Sequence, residues 1–324
     1  MRSSYQQCAQ QRPGGGERCS FYSAVLSAPR RPEPHEASTA PPDSQYAPTV
    51  ATGSPRAQDP VAPVRFRRNA DSLTAGQLTL LRQSFEAVYA IDDDRGYGHH
   101  AGIHGLPLPI GCDNAHHTPF FLPWHRAYLY FFERALRDRV ADAMLTWWDW
   151  RTGPDRPARL PQPFATTRVS GKPNPLHSAR VPKLALDQGR RAGMTVPGRT
   201  RREPGDPALL PTAREVRSVL ELRDFLDFSS ALEGLHDRVH VWTGGHMGLI
   251  PFAAFDPVFW AHHTMVDRLW RLWQLRHPGG RPPSAILGEA LPPFRMTVRQ
   301  TLDVAALGYD YAVASAASPV EARR

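Results

Sequence analysis

The sequence predicts a mainly α-helical fold, a four-helix-bundle core around a buried metal site, with long irregular loops and little strand. Three observations predict it. Several segments repeat large apolar residues every three or four positions, alternating strand-like runs are weak throughout, and the histidines gather in two short windows beside those helical segments.

Residues 1–62 are rich in Pro, Ser, Ala, Gly and Gln and poor in large apolar side chains, so they cannot offset the entropy of ordering and read as a disordered tail. The folded domain is expected over 63–312. In DSLTAGQLTLLRQSFEAVYAI, Leu78, Leu81, Phe85 and Val88 keep helical spacing, with Ser72 or Thr74 as candidate caps. A second helix is expected from about His125 to Val140, and LTWWDWRTGP then leaves it in an aromatic turn or short extended piece. Residues 153 to about 211 carry many Pro, Gly and Arg without apolar periodicity and read as a long surface excursion. AREVRSVLELRDFLDFSSALEGLHDRVHVW reads as two helices. DPVFWAHHTMVDRLWRLWQLRH reads as another, with Phe259, His263, Val266, Trp270 and Trp273 in register. Residues 313–324 form a short polar tail.

At 324 residues the chain can bury a core in water without staples, whether as one domain or two. The formal charge of +8 would raise a nucleic-acid or anionic-membrane partner, yet only Lys172 and Lys183 are lysines and the arginines are scattered. With no basic and aromatic ladder and no binding motif, neither nucleic acid nor membrane is expected as a partner. Cys8 and Cys19 lie in the tail and Cys112 stands alone, so no disulfide framework marks an extracellular module. The N-terminus lacks the apolar stretch of a signal peptide and no run reaches the ~20 apolar residues of a membrane span. The expectation is a soluble protein, cytoplasmic rather than secreted.

Of 14 histidines, His99, His100, His104, His116, His117 and His125 fall in one window and His236, His240, His246, His262 and His263 in another. A single histidine in an apolar run is ordinarily a satisfied core residue; two clusters in such runs call for a ligand. His236 and His240, four apart on a helix, project from one face about a turn apart and form a metal-chelating pair. His263 on the following helix completes a three-imidazole set if the two helices pack antiparallel, and His104, His116 and His125 can form an equivalent set. Imidazole without thiolate or acidic ligands suits copper, zinc or iron, and two all-nitrogen sets facing each other suit a copper pair that binds dioxygen. The rival is a zinc hydrolase, because HDRVH resembles the HExxH protease signature. Asp237 replaces the glutamate, its arm is shorter, and the first window would stay unexplained.

AGIHGLP, FFLPWHRAYLYFFERAL, LEGLHDRVHVWTGGHM and FDPVFWAHHTMVDRLWRLWQ closely resemble the copper-binding segments of the tyrosinase family, to which catechol oxidases and hemocyanins are related. The resemblance runs from about Val64 to Tyr311. It implies that His104, His116 and His125 hold one copper, that His236, His240 and His263 hold the other, and that dioxygen is the co-substrate. His99, His100, His117, His246 and His262 are then spare. Glu233 falls where the family has a glutamate thought to hold a water near the coppers. Asp237 follows the first ligand of the second set, where many relatives have Asn, and the pair is associated with deprotonating a monophenol. Phe259 matches the aromatic that packs over the site, and Val241, beside His240, is a candidate for the substrate pocket.

The implied activity is that of a type-3 copper oxidoreductase, turning monophenols and ortho-diphenols into ortho-quinones. The alternatives are an ortho-aminophenol oxidase and a hemocyanin-like oxygen carrier. The expected partners are a small phenolic or catecholic substrate and a copper-delivery protein. Two departures matter. Relatives with a cysteine two residues before the second histidine cross-link it to a ligand, whereas Cys112 lies four before His116, so the sequence does not assign that thioether. LGYDY resembles the motif that ends the catalytic domain of relatives, and only a short tail follows it here.

Overall fold

The structure, a computed structural model, describes residues 64–108 and 115–312. The two terminal tails and all three cysteines lie outside the described residues.

Strand β1 (Arg65–Asn69) opens the fold, followed by helix α1 (Ala75–Tyr89) and the short α2 (Tyr97–Gly102). Thr74 caps α1 in a capping box: its hydroxyl accepts from the Gln77 N–H while the Gln77 side chain accepts from the Thr74 N–H. Helix α3 (Phe121–Arg137) begins one turn earlier than the sequence suggested. Pro123 sits in its first turn, where a missing N–H removes no helical hydrogen bond.

After β2 (Thr146–Trp147) the Pro-rich excursion contains α4 (Gln162–Ala165), the hairpin of β3 (Arg168–Val169) and β4 (Lys172–Pro173), and α5 (Lys183–Arg191). It is less superficial than its composition suggested, for Phe164, Leu176, Val181 and Ala185 are buried. With Ala179 and Leu210 these buried residues dock the segment, but they follow no single period.

Helices α6 (Ala213–Leu220), α7 (Phe225–Thr243), α8 (Ile250–Ala253) and α9 (Pro257–Arg276) follow, then β5 (Ala290–Leu291), β6 (Phe294–Thr297) and β7 (Tyr309–Tyr311). Asp224 caps α7 through the N–H groups of Leu226 and Asp227, and Asp256 caps α9 through that of Val258, with Pro257 at the first helical position.

The bundle is made of α1, α3, α7 and α9, with α3 touching the other three. Phe85 of α1 meets Phe132 of α3, and Phe132 stacks on Trp260 of α9 with ring centroids 3.6 Å apart. Phe228 near the start of α7 stacks on Trp273 near the end of α9, while His240 meets Phe259 at the opposite ends, so α7 and α9 run antiparallel. That is the packing the second histidine set requires. The strands are short, and the largest sheet has three in the order β2-β1-β7, joining the two ends of the described domain in parallel through the pairs Arg65 with Tyr309 and Arg67 with Tyr311.

Behind the histidine-bearing helices lies a buried charged cluster. Arg67 donates to Glu133 and Asp267, Arg126 donates to Asp267, and the hydroxyls of Tyr309 and Tyr311 also donate to Asp267. The guanidinium of Arg126 lies 3.6 Å over the Trp270 ring, and that of Arg67 3.6 Å over Tyr309. Arg126 follows His125, and Asp267 lies one turn beyond His263. One ion pair thus ties a helix of each histidine set to the other.

Candidate metal centre

Helix α7 presents His236 and His240 on one face, and α9 brings His263 against them. The three Nε2 atoms lie 3.0, 3.3 and 3.4 Å apart. Nδ1 of His240 is 2.8 Å from the Met247 carbonyl, and Nδ1 of His236 is 3.0 Å from the Asp237 carboxylate. Both partners only accept, so both protons sit on Nδ1 and two bare Nε2 lone pairs face each other. Such an arrangement repels itself without a cation. Three nitrogens each about 2.0–2.1 Å from one ion at tetrahedral angles would be about 3.3–3.4 Å apart, which matches the observed triangle. The residues therefore fit a metal ion.

The other set is built differently. His125 lies one turn into α3, but His104 lies in the turn after α2 and His116 in the turn before α3. Nδ1 of His125 meets the carbonyl of Phe121 at 2.8 Å, that of His104 the carbonyl of Ile250 at 3.3 Å, and that of His116 the carboxylate of Glu233 at 2.8 Å. These contacts aim Nε2 inward, and Nε2 of His125 is buried without a hydrogen-bond partner. Donor nitrogens of His104, His116 and His125 all lie within 4.8 Å of one another. The two sets face each other, with the rings of His125 and His263 stacked at 4.4 Å and those of His116 and His236 tilted at 5.5 Å.

Burial, reinforced by neighbouring imidazoles, lowers the pKa of His104, His125, His236 and His263 well below the ordinary histidine value. Burial also brings His240 down to about 4. The rings stand neutral at neutral pH, as donors to a metal must. Burial raises the carboxyl pKa of Asp237, against the pull of nearby His116 and His240.

Phe259 is fully buried, its ring 4.1 Å from His263 and 4.7 Å from His104. Asp237, His240 and Val241 share a partly exposed side of α7, where the Asp237 side chain is 33% accessible. This is the solvent-facing edge of α7 beside His236. Glu233 is buried, and its Oε1 accepts from Nδ1 of His116 and from the backbone N–H of His117 at 2.9 Å. Among the spare histidines, His117 is exposed, His100 is buried away from the sets, and His246 fastens the Pro197–Arg201 loop through both ring nitrogens. His262 is fully buried, its ring flat against His236 at 4.9 Å and edge-on to Trp148. A donor atom of His262 also lies within 4.8 Å of those of His236, His240 and His263, outside the tighter triangle.

Glycine is required at Gly105, because a Cβ there would sit 2.6 Å from the backbone of Pro251. This close approach lets Leu106 donate to the Pro251 carbonyl and holds Ile250 where His104 needs it. Gly105→Ala is expected to cost about 1–3 kcal/mol of stability, as overpacking does, and to weaken metal retention at the His104 set. Urea denaturation and a metal titration of the variant check both effects.

Residues 94–276, which contain both histidine sets, match the family model described as the common central domain of tyrosinase. The chain belongs to the tyrosinase family. It is 36% identical over 264 residues to the tyrosinase of Streptomyces glaucescens, covering 71% of this chain and 93% of that protein. A functional unit from octopus hemocyanin superposes with a TM-score of 0.63 at 28% identity, over 77% of this chain and 68% of that one. An active tyrosinase of Aspergillus oryzae, a copper-bound mutant complexed with L-tyrosine, has the same fold with a TM-score of 0.64 at 21% identity, over 79% of this chain and 94% of that one. The family resemblance drawn from the motifs holds, and with it the cofactor: tyrosinase-family proteins work with two copper ions and dioxygen.

What sequence reading of this tyrosinase-family chain missed are the groups that aim the imidazoles. The carbonyls of Phe121, Met247 and Ile250 have no side-chain signature. Phe121, packed 4.9 Å from His125 and 5.1 Å from His236, looks in sequence like any core aromatic. Among the described residues no helix is long and apolar enough to cross a membrane.

Proposed function

We propose that His104, His116 and His125 hold one copper ion and that His236, His240 and His263 hold the other, in an oxidase that converts phenols and ortho-diphenols to ortho-quinones. The observation that carries it is the pair of facing imidazole sets, one with its Nε2 atoms already at the spacing of ligands on a single ion. Bound copper would supply the redox chemistry that lets dioxygen oxidise the ring: two catechols and one O2 give two ortho-quinones and two waters, or one phenol and one O2 give one quinone and one water. The chain's own part is position and dryness. Backbone and carboxylate acceptors fix the Nδ1–H of His104, His116, His125, His236 and His240, while Phe121, Trp124 and Phe259 surround the rings and keep bulk water away. At the open edge Asp237 is placed to accept a proton from a phenol or from a water beside it, and Val241 to touch the ring. Because the histidine rings are buried, delivery of copper by a partner protein suits this site better than capture of a free ion.

The experiment is oxygen uptake by the copper-loaded protein with a monophenol, a catechol and an ortho-aminophenol side by side. Uptake with catechol and phenol, with quinone formed, is the expected result. Preference for the aminophenol favours the aminophenol oxidase. Reversible oxygen binding without consumption on any of the three would make the protein a carrier, as its similarity to a hemocyanin unit allows, and would sink the oxidase reading. Asp237→Asn keeps a hydrogen-bonding side chain and removes a charge, so a shift of the monophenol to catechol ratio smaller than the ~10²–10⁴ of a lost general base is expected. Kinetics on the two substrates measure it.

A further inference from the structure

We propose that Glu233 is a positioning residue that braces His116 across the two metal sites: it stands on the helix that carries the second histidine set but holds a ligand of the first. The inference rests on the reading of the two sets as copper sites. Glu233 lies one turn before His236 on α7, and its Oε1 is 2.8 Å from Nδ1 of His116 and 2.9 Å from the backbone nitrogen of His117. Both groups donate, so the two lone pairs of that oxygen are taken by the chain itself, which leaves Oε1 no capacity for a water.

The location of His116 explains why a brace is needed. His125, His236, His240 and His263 are held by long helices, whereas His116 sits in a turn. The next residue, His117, has φ +57, in the left-handed region that non-glycine residues seldom adopt. A carboxylate that accepts from His116 and from the His117 N–H fixes both the turn and the ring. It also forces the proton onto Nδ1, keeping the Nε2 lone pair for the metal, and its charge makes that imidazole a stronger donor. The other carboxylate contact is less demanding. Asp237 meets the neighbouring His236 on a helix that already orients the ring, and the Glu233 backbone carbonyl also lies against His236.

Two readouts on copper(I)-loaded protein kept free of oxygen test this. Cu(I) affinity is measured by competition with a chromophoric chelator, and the histidine tautomers are read from long-range ¹H–¹⁵N NMR spectra, copper(I) being diamagnetic. Glu233→Ala is expected to weaken one copper by about 10–100-fold, the usual cost of removing a partner behind a ligand, and to leave the other within about threefold. At one equivalent of copper, the shifted rings should be those of His236, His240 and His263, because the weakened site fills last. Glu233→Gln keeps an acceptor oxygen and should restore most of the affinity and the Nδ1–H tautomer of His116. Circular dichroism and thermal melting show whether each variant is folded, and the Gln variant keeps the test open if the Ala variant is not. Equal weakening of both coppers, or wild-type affinities with only monophenol oxidation lost, would overturn the brace. A wild-type chain that fails to bind two Cu(I) ions would instead overturn the underlying functional reading.

Discussion

His263→Ala will leave the chain with one copper and no useful quinone formation, whereas His262→Ala will keep both coppers. The two histidines are adjacent, and on a helix their side chains point about 100° apart, so they meet different surroundings. Nε2 of His263 closes the triangle with His236 and His240 at 3.3 and 3.4 Å. His262 lies against the flat side of His236, and neither of its ring nitrogens has a hydrogen-bond partner. Losing a direct ligand should exceed the ~10–100-fold typical of losing a partner behind one. Losing His262 should open a small cavity and lower the melting temperature without emptying the site. Elemental analysis of the two purified variants decides between them: copper loss in His262→Ala with full copper in His263→Ala would put the register off by one residue.

Asp267→Ala will have the largest effect on stability, about 3–5 kcal/mol, because it strands the buried guanidinium groups of Arg67 and Arg126 without their shared carboxylate. Two tyrosine hydroxyls lose their acceptor at the same time. A value below about 1 kcal/mol by urea denaturation would mean that water or Glu133 compensates. The same carboxylate sets an acid limit. Burial alone would raise its pKa, but Arg126, Arg67 and the Tyr311 hydroxyl outweigh burial and hold it below the ordinary value. A depressed folded-state pKa contributes stability that is fully present above the unfolded value, ~3.9, and is lost as pH falls through the folded value. The wild-type chain should therefore lose this contribution below about pH 4, and Asp267→Asn should flatten that part of the stability profile.

Helical periodicity and the shared face of His236 and His240 were legible because both are local. Leu78, Leu81, Phe85 and Val88 mark α1 wherever it packs, and His236 and His240 share a face of any helix they occupy. The excursion after β2 was harder to read, since its buried residues Phe164, Leu176, Ala179, Val181, Ala185 and Leu210 follow no single period. The charged cluster was invisible for another reason: Arg67, Glu133 and Asp267 are ordinary surface residue types, and only the chain path reveals that they are buried together.

By itself, the sequence determined the family, the helical class and the gathering of imidazoles in two windows, because these are carried by residue identity over short distances. The tertiary structure decided which nitrogen of His104, His116, His125, His236 and His240 faces inward and what holds it there. Glu233 reaches His116 across 117 positions of the chain, and Arg67 reaches Asp267 across 200. The carbonyls that orient His104 and His240 belong to backbone that every residue has. A carboxylate or a carbonyl acts on an imidazole only at hydrogen-bond distance and at the right angle, and contacts so far apart in the chain are made when α3, α7 and α9 pack together.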